Sequence, residues 1–291
     1  MKYKMVVVDI DGTLVDKNGK MAEEDKQAIR RLIYSSITVV LCTGRVVQAT
    51  VPIIDELGLD TYNIFYDGAF IANTNTKCKL YTKPIDATLI REMVDFCRQN
   101  NIYVELYANG ASFSPDHILG THWSETINTD LLFVERPHWS KATHHEFFRI
   151  EPTVVNFDDI IGKKDILKAE MLVSSDDEAI QARQLKDYFM DRFNYSIVYS
   201  PAFPDVHFIN IPHPQVSKGA ALKELIDYWG YPPADIIAIG DGLNDISLLE
   251  KVGGSVAMGN ACDELKQVAN FITNTVEEHG VATAINFLFQ F

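Results

Sequence analysis

Three consecutive valines, Val6 to Val8, follow Met5 and run straight into Asp9-Ile10-Asp11-Gly12-Thr13-Leu14. An uninterrupted β-branched run reads as a short strand buried on both faces, as strands of a parallel sheet are. Ligands of open α/β sheets bind where such strands end, at the carboxyl edge, and Asp9 stands at that edge. Two residues later the chain has left regular pairing, so Asp11 need not share the direction of Asp9. Gly12 permits a tight turn, and Thr13 adds a hydroxyl and a backbone N–H. One carboxylate can then attack as a nucleophile while the other moves protons, which is a phosphoryl-transfer site in outline. Asp-Gly after an apolar strand is also an ordinary turn signal, so the reading depends on partners further along.

The first 83 residues predict alternating strands and helices. Residues 22–34 place Ala28, Ile29, Leu32 and Ile33 on one face of an amphipathic helix. A second buried strand is predicted over 37–41, a helix over 46–57 and a third strand over 63–66, a βαβαβ start to a doubly wound sheet. From about Pro84 the texture changes. A helix over 87–100 and a strand over 102–107 precede a stretch from 109 to 164 with weak periodicity and many His, Trp, Pro and Ser residues. A short strand over 171–173, a long helix over 177–193 and strands over 197–199 and 206–211 follow. Regular alternation returns after Pro214, with helices predicted over 218–228, 246–252, 262–269 and 277–289 and strands over 236–239, 256–258 and 271–273. The expected architecture is therefore α/β: a doubly wound, Rossmann-like parallel-sheet core from residues 1–83 and 214–291, with an inserted α+β cap over 84–213. A chain of 291 residues has ample core for two such units.

Three later segments fall at predicted strand ends or helix starts. Thr43-Gly44-Arg45 follows the second strand, where a hydroxyl and helix-opening N–H groups form a phosphate cradle. Arg45 has two readings, a phosphate ligand or the partner of a surface acid. Lys218 opens a helix behind Ser217, a predicted N-cap. A cation there opposes the helix dipole, and a bound phosphate would supply the reason. Gly240-Asp241-Gly242-Leu243-Asn244-Asp245 is acidic and glycine-broken directly after a buried strand, and hard oxygen donors at such a mouth suit magnesium. These groups belong together on charge grounds. Asp9 must approach a phosphate dianion, and two unit charges about 4 Å apart interact by roughly 4 kcal/mol at an effective dielectric near 20. Mg2+ and Lys218 provide the counter-charge.

Twenty-six Lys and Arg against 40 Asp and Glu leave a net charge of −14. Such a surface repels nucleic acid and anionic lipid, so neither is expected as a partner. No apolar run approaches the roughly 18 residues of a membrane span, and no basic-then-apolar secretory start is seen; the expectation is a cytoplasmic protein. Cys42, Cys78, Cys97 and Cys262 form no Cys-x-x-Cys pair and read as reduced structural thiols. His144-His145-Glu146 lacks the i, i+4 histidine pair of a metalloprotease helix. The sequence carries no reading of oligomeric state.

Together, Asp9-Ile-Asp-Gly-Thr13, Thr43-Gly-Arg45, Ser217-Lys-Gly219 and Gly240-Asp-Gly-Leu-Asn-Asp245 resemble the ordered motifs of haloacid dehalogenase superfamily phosphatases, most closely the Cof-type sugar-phosphatase branch. Val256-Ala-Met-Gly-Asn-Ala261 and Glu278-His-Gly-Val-Ala282 extend the resemblance to the end of the chain. It implies that Asp9 is the nucleophile forming an aspartyl-phosphate and Asp11 the general acid and then base. It further implies Mg2+ held by Asp9, the backbone carbonyl of Asp11 and Asp241, with Asp245 in or near the shell. Phosphate would be held by Thr43, Gly44, Lys218 and Asn244. The activity implied is magnesium-dependent hydrolysis of small phosphorylated metabolites, sugar phosphates or phosphorylated cofactors. A phosphomutase or phosphotransferase would use the same motifs, and a metabolite-binding regulator would need no Asp11. Three positions depart from the branch: Asp67 where Asn is frequent, His279 where an acid is common, and Ser36 in place of a frequent glycine. In the insertion, Tyr107, His117, His122, Trp123, His138 and Trp139 are candidate specificity contacts, for each of which packing or surface is the ordinary role.

Overall fold

The computed structural model describes residues 3–109, 130–139, 150–199 and 205–291. In chain order the elements are β1 (Met5–Val8), α1 (Glu23–Tyr34), β2 (Thr38–Leu41), α2 (Val47–Leu57), β3 (Asn63–Phe65), β4 (Phe70–Asn73) and β5 (Cys78–Thr82). The insertion follows with α3 (Ala87–Gln99), β6 (Glu105–Asn109), β7 (Asp130–Val134), β8 (Pro152–Val154), β9 (Ile166–Val173), α4 (Asp176–Phe189), β10 (Ser196–Tyr199) and β11 (His207–Pro212). The chain closes with α5 (Lys218–Trp229), β12 (Ile236–Gly240), α6 (Ile246–Leu249), β13 (Gly254–Ala257), α7 (Asp263–Val268), β14 (Phe271–Ile272) and α8 (Gly280–Phe289).

Five of these strands form one parallel sheet in the order β14-β13-β12-β1-β2. Val8 lies opposite Leu41 on one side and Ile239 on the other, so β1 is an inner strand and its four apolar residues are fully buried. The sheet reverses its winding between β1 and β12, where open α/β sheets place their ligands. Asp9 N–H donates to Ile239 O at 3.0 Å, which pins the first carboxylate at that crevice.

The expected third parallel strand is corrected. Asn63–Phe65 touches the parallel sheet through one bridge, Cys42 to Ile64, and otherwise pairs antiparallel with β4 in a three-stranded sheet, β3-β4-β5. The cause is local: Tyr66, Asp67 and Gly68, at φ of 53°, 54° and 109°, turn the chain back on itself.

The insertion builds a six-stranded sheet in the order β10-β11-β9-β6-β7-β8. Its helix-covered face packs Leu106, Ala108, Ala169, Met171 and Ile211 with Met93, Leu185 and Phe189. The strand expected over 171–173 is eight residues long. Lys168 and Glu170 interrupt its apolar pattern, yet both are buried, on the face opposite Ala169 and Met171. The closing helix begins at Gly280 rather than 277, after a turn at His279 with φ 59°. Among the described residues no helix is long and apolar enough to cross a membrane.

Candidate active site

Asp9 leaves the end of β1 with its side chain 8% exposed. The turn after it places Gly12 at φ 77°, where a Cβ would lie 2.3 Å from Asp241 Oδ2. Glycine is thus required twice, by backbone conformation and by the approach of a carboxylate. Thr13 Oγ1 donates to Asp241 Oδ1 at 2.8 Å, which ties the β1 turn to the β12 turn.

Lys218 is the first residue of α5, and its Ser217 N-cap accepts a hydrogen bond from Ala220 N–H. Its fully buried ammonium donates to Asp9 Oδ1 and to Asp245 Oδ1, each at 2.6 Å. Asp245 Oδ2 accepts the N–H groups of Asp241 and Gly242, each at 3.0 Å, so Asp245 fixes the β12 turn as well as the lysine. One ligand oxygen each from Asp9, Asp241 and Asp245 lies within 4.8 Å of the others.

Three carboxylates against one lysine would, when all are ionised, leave two negative charges in excess at a largely buried site. Burial pushes Asp9 up to about 7 despite Lys218, with Asp245 adding to the rise. Burial and then the charges of Asp9 and Asp245 hold Asp241 well above the ordinary carboxylate range. For Lys218, burial acts downward but is outweighed by Asp245 and Asp9, which keep it firmly protonated. An all-oxygen donor set with an excess of two charges fits a hard divalent cation.

Thr43 and Gly44 follow β2 at the same edge. Thr43 N–H donates to Ile64 O at 2.9 Å, and its hydroxyl accepts from Arg45 N–H at 3.1 Å. Asp11 and Asn244 each have a side-chain partner within the protein. Asp11 is paired with Arg45, so the arginine's partner here is an acid that lines the cavity and not one on the surface. Asn244 Nδ2 donates to Asp67 Oδ1 at 2.9 Å.

Asp9, Asp11, Thr43, Gly44, Asp241 and Asn244 line a cavity of about 420 Å³. Its other wall comes from the insertion: Lys168, Glu170, Ile197, Phe208 and Asn210. Lys168 Nζ meets Glu170 Oε2 at 2.6 Å, Asn210 Oδ1 at 2.8 Å and Gly44 O at 3.4 Å. A larger hollow of about 760 Å³ beside α4 reaches Lys218 and Asn244 but none of Asp9, Asp11 or Asp241, so the smaller one is the candidate reaction space.

Sequence reasoning missed Lys168, Glu170 and Asn210. Their signal was polar residues at every second position of otherwise apolar strands. Asn260, noted only within a longer motif, donates to Gly12 O at 2.8 Å and so supports the β1 turn. Tyr107, His138 and Trp139 do not line the cavity. Tyr107 donates to Glu170, His138 stacks on Tyr103, and Trp139 Nε1 donates to Glu178. His117, His122, Trp123 and the His144-His145-Glu146 cluster lie outside the described residues.

A family model for haloacid dehalogenase-like hydrolases matches residues 6–285. The curated 5-amino-6-(5-phospho-D-ribitylamino)uracil phosphatase YwtE of Bacillus subtilis is 29% identical over 296 residues, covering 98% of each chain. The putative phosphatase YxeH of the same organism is 31% identical over 291 residues, again covering 98% of each. Among solved structures, a haloacid dehalogenase-like hydrolase from Bacteroides thetaiotaomicron aligns with a TM-score of 0.79 at 24% identity, over 99% of this chain and 100% of that one. A putative HAD/COF-like hydrolase from Plasmodium vivax gives 0.80 at 18%, over 99% and 96%. With its ordered motifs brought to one sheet edge, the chain is a phosphatase of the haloacid dehalogenase superfamily.

Proposed function

We propose that the protein hydrolyses phosphomonoesters of small metabolites, with Mg2+ and through a phosphoryl group carried transiently on Asp9. The observation that carries this reading is the set of buried Asp9 and Asp245, both paired with Lys218, and half-buried Asp241, whose carboxylates when ionised carry two negative charges in excess of the lysine. Asp9 attacks phosphorus, and Asp11 first protonates the departing ester oxygen and then takes a proton from the attacking water. Thr43, Gly44, Lys218 and Asn244 hold the phosphoryl oxygens. Asp9, the Asp11 carbonyl, Asp241 and Asp245 would hold the metal. Bound there, Mg2+ supplies positive charge against the anion that Asp9 must approach.

The catalytic unit comprises residues 1–83 and 214–291, and residues 84–213 form the cap that selects the leaving group. The two-sided lining of the cavity supports that division. At about 420 Å³ the space suits a small metabolite. The similarity to the 5-amino-6-(5-phospho-D-ribitylamino)uracil phosphatase YwtE makes that compound a member of the first test panel, beside hexose phosphates. Phosphate release from such a panel is expected with Mg2+ and to be lost with chelator, and Asp9→Asn should abolish it. Equal rates with and without chelator would overturn the metal role. Recovery of an isomeric sugar phosphate in place of free phosphate would make the enzyme a mutase.

A further inference from the structure

Asp67 departs from the motif series, and the proposed chemistry gives it no task. It is 3% exposed and sits at φ 54°, a left-handed conformation that Asp and Asn tolerate better than other residues with a side chain. Its N–H donates to Thr43 O at 3.1 Å. Its Oδ1 accepts from Asn244 Nδ2 at 2.9 Å, and its Oδ2 accepts from Asn210 Nδ2 at 2.6 Å, with Ser196 Oγ at 3.5 Å. Asp67 therefore joins the Thr43 turn through its N–H, and the β12 turn and two strands of the insertion through its carboxylate.

The direction of these bonds matters. A carboxylate only accepts, so both amides must turn their NH2 groups toward it. Asn210 shows the same orientation from its other end, since its Oδ1 accepts from the Lys168 ammonium. Asn244 lines the cavity and has a second amide hydrogen. With one hydrogen held by Asp67, its amide meets a ligand as a donor. An asparagine at 67 would offer a single acceptor and would set its own NH2 against that of Asn244 or Asn210. A buried negative charge beside a phosphate seat opposes an anionic substrate, and holding two amides in place is the return for that opposition.

We infer that Asp67 is a positioning residue that aims the Asn244 amide at the phosphate and seats β11 over the cavity, so that phosphate capture and cap seating share one carboxylate. This rests on the assignment of Asn244 to the phosphate. The test is a double-mutant cycle read by the inhibition constant of inorganic phosphate. Asn244→Ala is expected to raise that constant about tenfold or more, as for a hydrogen bond to a charged group. Asp67→Asn should raise it comparably, and the double variant should be no weaker than either single one. Multiplied losses in the double variant would overturn the inference and leave the phosphatase reading standing. No effect of Asn244→Ala alone would overturn both the inference and that assignment. Should Asp67→Asn not fold, Asn210→Ala tests the second arm: kcat/KM for a whole phosphoester should fall several-fold with phosphate inhibition unchanged. An unaltered kcat/KM would overturn the seating role.

Discussion

Arg45 and Asp11 form a two-point ion pair, with Nε to Oδ2 at 2.8 Å and Nη2 to Oδ1 at 2.5 Å. The arginine is 9% exposed and the carboxylate 18%. The fork holds both oxygens of the group assigned to proton transfer, and a point-charge lysine cannot reproduce it. Asp11→Asn should lose the roughly 10²–10⁴-fold that a general acid supplies. Arg45→Lys should lower kcat about tenfold with KM nearly unchanged, because it misplaces the acid without touching the phosphate seat. Steady-state kinetics decide this, and a raised KM at constant kcat would return Arg45 to phosphate binding.

Charge excess in the Asp9, Asp241 and Asp245 cluster gives a prediction that needs no substrate. A cation that binds only the folded chain stabilises it by about 2.7 kcal/mol at a hundred times its dissociation constant. Thermal unfolding with Mg2+ should therefore show a Tm several degrees above that with chelator. Asp241→Asn retains an oxygen to accept from Thr13 but removes one of the like charges. It should raise the metal-free Tm and abolish the Mg2+ shift, whereas a persisting shift would place the ion elsewhere.

The site was legible because its chemistry is punctuation after apolar strands. Val6 to Val8 and Ile236 to Ile239 are uniformly apolar, so the acids that follow them could only stand at the sheet edge. The roof of the cavity was not legible, because Lys168 and Glu170 are charges inside a strand. Charge in a sequence ordinarily marks solvent, and it is their mutual pairing, with bonds to Asn210 and from Tyr107, that lets these two be buried. The three departures from the motif series have a shared backbone setting. Ser36, Asp67 and His279 lie at φ of 60°, 54° and 59°, where glycine or asparagine is easier. Residue identities showed these positions as unusual but could not show the conformation. The reversal at Tyr66 to Gly68, which folds the chain back from β3 into β4, belongs to the same class.

Asp25, on the first turn of α1, accepts from Ala282 N–H at 2.7 Å through Oδ1, while its buried Oδ2 has no hydrogen-bond partner. Burial pushes its carboxyl up to about 6 from the ordinary 3.8, with the Ala282 bond acting against the rise. The folded chain thus holds this proton more tightly than the unfolded chain. The stability contributed by the protonated form is fully present below about pH 4 and is lost as pH rises through 6. A shift of that size corresponds to about 3 kcal/mol at most. Asp25→Asn keeps the Oδ1 acceptor and cannot ionise. Its Tm advantage over the parent should grow from pH 4 to pH 7, and a difference constant across that range would exclude a titrating Asp25.

Lys168 and Glu170 separate stability from recognition. Their side chains are 5% and 3% exposed, so Lys168→Met leaves Glu170 as a buried charge held by Tyr107 OH at 3.0 Å. Removing one partner of a buried pair costs about 3–5 kcal/mol, whereas neutralising both is far milder. Lys168→Met should therefore lower the unfolding free energy by that amount, and Lys168→Met with Glu170→Gln should recover most of it. Recognition follows a different rule. Both residues line the cavity with Asp9 and Asp11, so the recovered double variant still presents a leaving group with neither the ammonium nor the carboxylate. Urea unfolding should show a stable protein while kcat/KM for its best phosphoester stays at least tenfold down. Recovery of kcat/KM together with stability would mean that the pair only props the sheet and that substrate choice lies with Ile197, Phe208 and Asn210.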